Sequence, residues 1–324
     1  MRLDTSLLRG RWTPLVIAIV VLAVLPVAGA PATWLLYLFL FFVYLAMANM
    51  WNLLAGYSGL ICLSPAAFIG LGGYTLVIIT WSGLPFYLGI IAGGIVAAIF
   101  AIIIAYPLFR MRGIYFAIGT LVVPAALQVV FLLWRPVGGE LHGGGAGYMV
   151  KGLTGITTTD TYWMALAIAA ISVFLMRVIL NSKLGLGLAA IRDNDETAGS
   201  SGINVFRTKL YSFVIAAFVM GIAGGVFYTY QGYIEPNSAF NISWLMTLLM
   251  ATVIGGEGIE DGPIIGAVIV VILHFLLAKY AGLSLLIQGV ILVVVMLVVP
   301  QGIMGLIRGG GIHRSVRKLI TGRR

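Results

Sequence analysis

Long, continuous runs of apolar residues constrain the fold of this chain more than any other feature. Val16 to Val27 and Ile291 to Val299 are two examples. In lipid the backbone must satisfy its own polar groups, which leaves only helices or a closed barrel. Barrel strands alternate apolar and polar residues over about ten positions, whereas these runs do not alternate. The sequence therefore predicts an all-α, polytopic membrane protein.

Composition supports a lipid environment for most of the chain. Hydrophobic residues make up 61% of the 324 residues and charged residues 9%, whereas a soluble domain carries about 25% charged residues. Cys62 is the single cysteine, which excludes an internal disulfide. No Gly-x-x-x-x-Gly-Lys-Ser/Thr string occurs, so we expect no phosphate-binding loop in this chain.

About ten apolar segments are long enough, or nearly long enough, to cross a bilayer as helices. The eighth and ninth are short and flanked by glycine, so we expect half-helices or buried spans there. The ten candidates are 14–30, 33–55, 60–81, 84–107, 114–134, 161–180, 210–232, 242–256, 263–280 and 284–300.

The positions of the basic residues predict the orientation. With a cytosolic N-terminus, 16 of the 19 Lys and Arg residues lie inside, and Arg135, Lys151 and Lys279 lie outside. We therefore expect a cytosolic N-terminus at 1–13 and a basic cytosolic tail at 308–324. The net charge of +9 then reflects orientation and attraction to anionic lipid, not a nucleic-acid partner.

A cleaved signal peptide is the alternative for the first span, because Ala28-Gly29-Ala30 resembles a small-residue cleavage site. Pro31 directly after it makes a poor cleavage junction, so we favour a retained helix. The topology of the remaining spans is the same in both cases.

The interior of the predicted spans has few ionisable groups. No Asp, Glu, Lys or Arg lies near the middle of any span, which disfavours an ion-driven carrier. Carbonyl groups can bind sodium, so a secondary carrier stays open. His274 stands alone in the ninth span, where an interhelical hydrogen bond is the ordinary role. We expect no catalytic residues and no metal site.

Polar residues cluster around a glycine-rich break between the second and third spans. A broken helix exposes amide donors that can hold an anionic group such as a carboxylate. Tight helix packing through small residues explains the same pattern equally well, and Gly221 to Gly225 offers a similar surface. The candidate substrate-pathway residues are Asn49, Asn52, Ser58, Ser64, Pro65 and Tyr74.

Residues 181–209 form the one long polar segment predicted on the cytosolic side. Gly187 to Ser201 fits a short amphipathic helix with Leu188 and Ile191 on one side, and Gly202 would end it. Such a helix suits docking to a soluble partner, with a solvated linker as the alternative. The longest external segment, 135–160, is glycine-rich and is either a docking surface or a flexible connector.

Four ordered segments carry a resemblance to a known family. Glu196-Thr197-Ala198 followed by Gly202 is similar to the Glu-Ala-Ala-x-x-x-Gly motif of bacterial ABC importer permeases. Residues 190–205 resemble the coupling loop of the branched-chain amino acid permease family. Segments 59–75, 110–121 and 248–263 resemble further motifs of that family in the expected order. Between its two permeases, the chain looks more like the longer M-type subunit.

The resemblance implies a transport subunit of the ten-span vitamin B12 and ribose permease class, with a transmembrane permease domain over 14–307. A second permease would complete the substrate pathway, two cytosolic ABC ATPases would bind the coupling loop, and a periplasmic or extracellular binding protein would deliver the substrate. The chain would lie in the bacterial inner membrane, bind no cofactor and leave ATP hydrolysis to its partners. The coupling residues implied are Arg192, Asp193, Asp195, Glu196, Gly202 and Asn204.

Two departures from the family pattern bear on substrate and partners. Ser64-Pro65 stands where the family usually has Gly-His or Gly-Gln, so urea, short amides, other related amino acids or aromatic acids compete with branched-chain amino acids as substrates. Glu257, Glu260 and Asp261 place acids in an otherwise uncharged turn. The alternative function is a secondary carrier or channel for a small polar solute.

Overall fold

The computed structural model describes residues 17–138, 143–277, 281–299 and 301–309, and nearly all secondary structure there is helical. Two short strands, β1 (Tyr148–Met149) and β2 (Tyr233–Ile234), pair antiparallel with Tyr148 opposite Ile234. The helices are α1 (17–24), α2 (Ala32–Asn52), α3 (Pro65–Trp81), α4 (Phe86–Leu108), α5 (Ile114–Leu133), α6 (Thr158–Leu180), α7 (Lys183–Asp193), α8 (Asp195–Ser200), α9 (Val205–Gln231), α10 (Pro236–Ala239), α11 (Ser243–Gly255), α12 (Gly262–Leu277), α13 (Ala281–Val298) and α14 (Gly302–Gly309).

The described part of the chain confirms an all-α, multi-pass membrane protein. Seven helical segments are long and apolar enough to cross a membrane, and α3 and α12 are shorter apolar helices. The first candidate span, the N-terminus and most of the basic tail lie wholly or partly outside the described residues. The count of ten and the cytosolic termini therefore stay predictions. The seven are Ala32–Tyr57, Phe86–Leu108, Ile114–Leu133, Thr158–Leu180, Val205–Gln231, Pro236–Gly255 and Leu283–Ile307.

A break separates the second and third spans, as the glycine-rich segment indicated. After α2 the chain makes one wide helical turn, a π-helix over Leu53–Tyr57, and then runs without regular structure until Pro65 opens α3. Proline suits this first helical position because its missing N–H has no partner there. The third span consequently begins at Pro65, five residues later than the sequence predicted.

Helices α3, α4 and α9 pack closely through glycine, which confirms the small-residue surface predicted near Gly221. A Cβ on Gly72 would overlap the carbonyl oxygen of Gly221, and a Cβ on Gly93 would lie 2.8 Å from the carbonyl oxygen of Gly72. Without side chains between them, the backbones approach closely and gain dispersion contacts that lipid cannot supply.

Helix α2 forms the centre of the bundle. It contacts α6, α9, α11 and α12, and every residue from Phe42 to Asn52 is buried. By contrast, much of α5 and α13 presents apolar side chains outward. Because lipid accepts apolar surface without cost, this outward face fits a membrane protein.

Candidate coupling site

The polar segment 181–209 folds as two short helices instead of the single helix predicted over 187–201. Helix α7 is capped by Ser182, whose Oγ accepts the N–H of Leu184 at 3.1 Å. Asn194 then breaks the helix, because its Oδ1 accepts the N–H groups of Glu196 at 2.9 Å and Thr197 at 3.0 Å and so starts α8. The sequence prediction overlooked this asparagine cap.

Gly202 and Asn204, two of the predicted coupling residues, shape the exit of this segment. Gly202 has a φ of +87°, and the N–H of Ile203 reaches back to the carbonyl of Ala198 at 3.1 Å, which ends α8 as predicted. Asn204 caps α9 by accepting the N–H of Arg207 at 3.0 Å. Both residues therefore fix the backbone path of the loop.

The inner side of the segment is packed onto the bundle. Leu188, Ile191 and Ala198 are buried, and Leu188 lies in a small cluster with Leu53 and Met176. The predicted apolar side formed by Leu188 and Ile191 is confirmed. This segment is consequently seated on the helices rather than extending as a free linker.

Arg192 connects this segment to the break after α2. Its guanidinium donates a hydrogen bond to the carbonyl of Gly56, in the wide turn that follows α2. A Cβ on Gly258 would lie 2.8 Å from the Nη1 atom of Arg192, so the turn between α11 and α12 is adjacent. Arg192 is exposed as a residue, but its guanidinium is directed toward the bundle.

The acids of the segment form ion pairs with neighbouring elements. Asp195 pairs with Lys209 at the start of α9, and Glu196 lies 3.3 Å from Arg112 in the loop before α5. The Arg112 and Glu196 side chains are 85% and 80% exposed. Asp193 is exposed as well. The structure thus brings the coupling segment and the Arg110–Leu121 segment to one charged surface.

We call residues 256–261, between α11 and α12, the inner turn. Asn52 of α2 is hydrogen-bonded to this turn. The Asn52 Oδ1 atom accepts the N–H of Gly258 at 2.8 Å, and Nδ2 donates to the carbonyl of Ile259 at 3.0 Å. Asn52 is fully buried, so both halves of its amide are satisfied within the protein. This structural role was not anticipated for a candidate pathway residue.

A buried ion pair connects α6 to the inner turn. The Nε atom of Arg177 lies 2.7 Å from Oε1 of Glu260, and its Nη2 atom lies 3.9 Å from Oδ1 of Asp261. Two of the three unexpected acids are therefore used inside the chain. The third acid, Glu257, is exposed at its surface, but partial desolvation by the surrounding protein raises the pKa of its carboxyl, and nearby Arg192 lowers that pKa by a smaller amount.

The polar candidates before α3 are also buried within the subunit. Asn49 donates to Ser172 Oγ at 3.2 Å and so joins α2 to α6. Ser58 donates to the carbonyl of Leu54 at 2.6 Å, and Ser64 Oγ lies 3.1 Å from Cys62 Sγ. These contacts are those of tightly packed helices, the alternative that the sequence left open.

Tyr74 and Pro65 complete the set of pathway candidates. The Tyr74 ring stacks on Phe240 at 5.9 Å between centroids and lies 4.2 Å from Phe131. Among the described residues, its buried hydroxyl has no hydrogen-bond partner. A pathway role for the six candidates stays a prediction.

A polar cavity of about 550 Å³ lies at the opposite end of the bundle from the inner turn, and sequence reasoning missed it. We call it the outer cavity. It lies among the end of α9, α10, and parts of α2, α11, α12 and α13, and His274 forms part of its wall. The dense polar run from Gln231 to Ser243 was the signal in the sequence.

Comparison with known families decides the class of this protein. The family described as "Branched-chain amino acid transport system / permease component" matches residues 33–300. This chain belongs to that family. It is therefore a multi-pass membrane subunit of a transport system, and it is not itself an enzyme.

Curated relatives carry the names of both permease types. The LivM permease proteins of the high-affinity branched-chain amino acid transport systems of Salmonella typhimurium and Escherichia coli K12 are each 26% identical over 292 residues. These matches cover 82% of this chain and 68% of the relative. The Escherichia coli K12 LivH permease protein is 31% identical over 142 residues, covering 43% of this chain and 44% of LivH. No solved structure matches the chain.

Proposed function

We propose that this chain is the M-type permease subunit of an ATP-driven importer for branched-chain amino acids in the bacterial inner membrane. The family description and the names of the relatives support the substrate class. The match to LivM covers a larger share of this chain than the match to LivH does, which supports the M-type assignment. Two of the three inner-turn acids that had suggested a non-standard contact, Glu260 and Asp261, pair with Arg177 inside the chain.

The proposed complex contains a second permease, two cytosolic ABC ATPases and a periplasmic or extracellular binding protein. Similarity to both LivM and LivH of one organism supports a paired permease. ATP would be hydrolysed by the ATPase subunits, and segment 181–209 would be their docking site. The packed inner side and charged outer side of this segment are what a docking element requires.

The contacts of the coupling segment with the bundle carry the proposal. Arg192 reaches the wide turn after α2, and α6, which leads directly into α7, holds the inner turn through Arg177. A force on α7 and α8 therefore acts on α2, α11 and α12 through short, directional contacts. Rigid elements joined in this way can carry a movement from a docking surface into the membrane.

A charge-exchange experiment tests the docking role. The importer is reconstituted in proteoliposomes with its second permease, ATPases and binding protein, and leucine uptake and ATPase stimulation are measured. Glu196→Arg should lower both, because it reverses a charge on the docking surface. The double variant Arg112→Glu/Glu196→Arg restores the internal ion pair but keeps the reversed surface, so we expect it to stay impaired.

Full recovery in the double variant would mean that the pair acts only within the subunit, and the docking assignment would be lost. Leucine, isoleucine and valine should compete for uptake, whereas urea should not. Transport by this chain alone in liposomes, without ATPases, would instead establish the secondary carrier or channel.

A further inference from the structure

The outer cavity is lined by polar side chains although it lies among largely apolar helices. Its volume of about 550 Å³ is within the range of roughly 300–1,000 Å³ found for small-molecule sites. Its polar lining includes Gln231, Glu235, Thr247, His274 and Gln288. The position of this cavity, beside the predicted external segments, makes it accessible to a solute arriving from outside.

The cavity reaches the middle of α2 and the second half of α12. Tyr44 is 12 residues beyond the start of α2 at Ala32, about 18 Å along that helix at 1.5 Å per residue. His274 is three residues before the described end of α12 at Leu277. The Tyr44 and His274 rings lie 6.4 Å apart between centroids, so the two helices meet at the cavity wall.

Polar groups in this position are ordered by hydrogen bonds within the chain. The Nε2 atom of Gln288 donates to Ser284 Oγ at 3.0 Å. Asn241 Oδ1 accepts both the N–H of Ser243 at 2.9 Å and its hydroxyl at 2.6 Å. These bonds hold polar side chains in fixed positions around the cavity, where their remaining donors and acceptors can face a solute.

The chemistry of the wall favours a ligand with an ammonium group. Glu235 supplies a carboxylate, and the described lining contains no Lys or Arg. Trp244 lies between two further aromatic side chains, with its ring centroid 4.8 Å from Phe227 and 6.5 Å from Tyr44. Aromatic faces attract cations, and a carboxylate adds to that attraction. Amides and hydroxyls around them can hydrogen-bond to a ligand carboxylate.

We propose that the outer cavity is a binding site in this subunit for the zwitterion of an α-amino acid. Its ammonium group would face Glu235 and the aromatic side chains, and its carboxylate would face the amide of Gln288 and neighbouring hydroxyls. The identity of the amino acid rests on the proposed function. The site would receive the solute after release from the binding protein.

Cysteine labelling in the complete importer tests occupancy of the cavity. Cys62 is the single native cysteine and is buried, so we expect little labelling of the native chain. Thr247→Cys and Leu285→Cys, both at lining positions, should react with a small, charged, water-soluble thiol reagent added from outside. Leucine at about ten times its dissociation constant should slow both reactions about tenfold, because the free fraction falls by that factor.

Val290→Cys is the matched control, because it lies on the same helix as Leu285 with its side chain directed outward. We expect it to react slowly and to show no protection by leucine. Rapid labelling of the cavity cysteines without protection by leucine would overturn the proposal and indicate a water-filled cleft. Absence of labelling would overturn it too, since a partner or lipid would then occupy the cavity.

A transport measurement separates this proposal from the proposed function. Glu235→Gln should lower leucine uptake and leucine protection by at least about tenfold, the effect of about 1.4 kcal/mol of lost attraction. Asp160→Asn removes one negative charge elsewhere on the same side and should leave protection unchanged. If wild-type importer fails to transport any branched-chain amino acid, the proposed function fails. If it transports and Glu235→Gln transports equally well, only the cavity proposal fails.

Discussion

The buried ion pair between Arg177 and Glu260 makes the sharpest prediction about stability. Their side chains are only 12% and 14% exposed, and Arg177 Nε lies 2.7 Å from Glu260 Oε1. Removing one partner of a buried pair costs about 3–5 kcal/mol because the remaining charge stays desolvated. We expect this cost for Arg177→Gln, which removes the guanidinium from both Glu260 and Asp261.

Glu260→Gln should cost less than Arg177→Gln. Asp261 remains 3.9 Å from Arg177 and continues to compensate part of its charge. The double variant Arg177→Gln/Glu260→Gln should be more stable than the sum of the two single effects predicts. We expect a coupling energy of about 1–3 kcal/mol, the range for residues in direct contact.

The assay is a double-mutant cycle on the purified protein, with the folded fraction followed against denaturant. Arg112 and Glu196 provide the matched control, because they form the same type of pair at 3.3 Å with side chains 85% and 80% exposed. Their coupling energy should be below about 1 kcal/mol, as solvent screens exposed pairs. If the Arg177 and Glu260 effects add within about 0.5 kcal/mol, the buried pair does not stabilise the inner turn.

Two further substitutions test the packing and the charge of the inner turn region. Gly266→Ala should lower the yield of folded protein severely, because its Cβ would overlap the Ala251 carbonyl oxygen, whereas Gly289→Ala meets open space and should be silent in size-exclusion analysis. Partial desolvation raises the pKa of Glu257 despite a smaller opposing effect of Arg192, so the folded state keeps a proton that the unfolded state has released. Stability should therefore fall as pH rises from about 4.5 through the raised pKa, and thermal unfolding of Glu257→Gln should lack that loss; equal pH profiles would contradict the assignment.

Much of the fold and of the coupling segment could be read from local patterns. Apolar runs predict helices because each residue contributes independently to transfer into lipid. Gly202 ended α8 as expected, because the left-handed backbone conformation favours glycine. The division of the segment at Asn194 was also local, and the cap was simply not recognised.

Which residues pair with each other across long sequence separations could not be predicted from local patterns. Asn52 and Gly258 are 206 residues apart, and Arg177 and Glu260 are 83 residues apart. No periodicity links such positions, so Asn52 looked like a pathway residue and Glu260 like a departure at a partner contact. The outer cavity likewise depends on α2, α9, α11, α12 and α13 meeting at one place.

The sequence alone determined that this protein is a helical membrane permease with one long polar segment at 181–209 and four ordered family motifs. Those properties depend on composition and on short motifs, which can be recognised without knowing which residues are neighbours in the folded chain. Tertiary structure decided that Arg192 is directed toward Gly56, that Glu260 and Asp261 of the inner turn pair with Arg177 of α6, and that polar side chains surround an outer cavity. The physical reason is that burial, pairing and enclosure are properties of residues brought together by folding, not of any single stretch of chain.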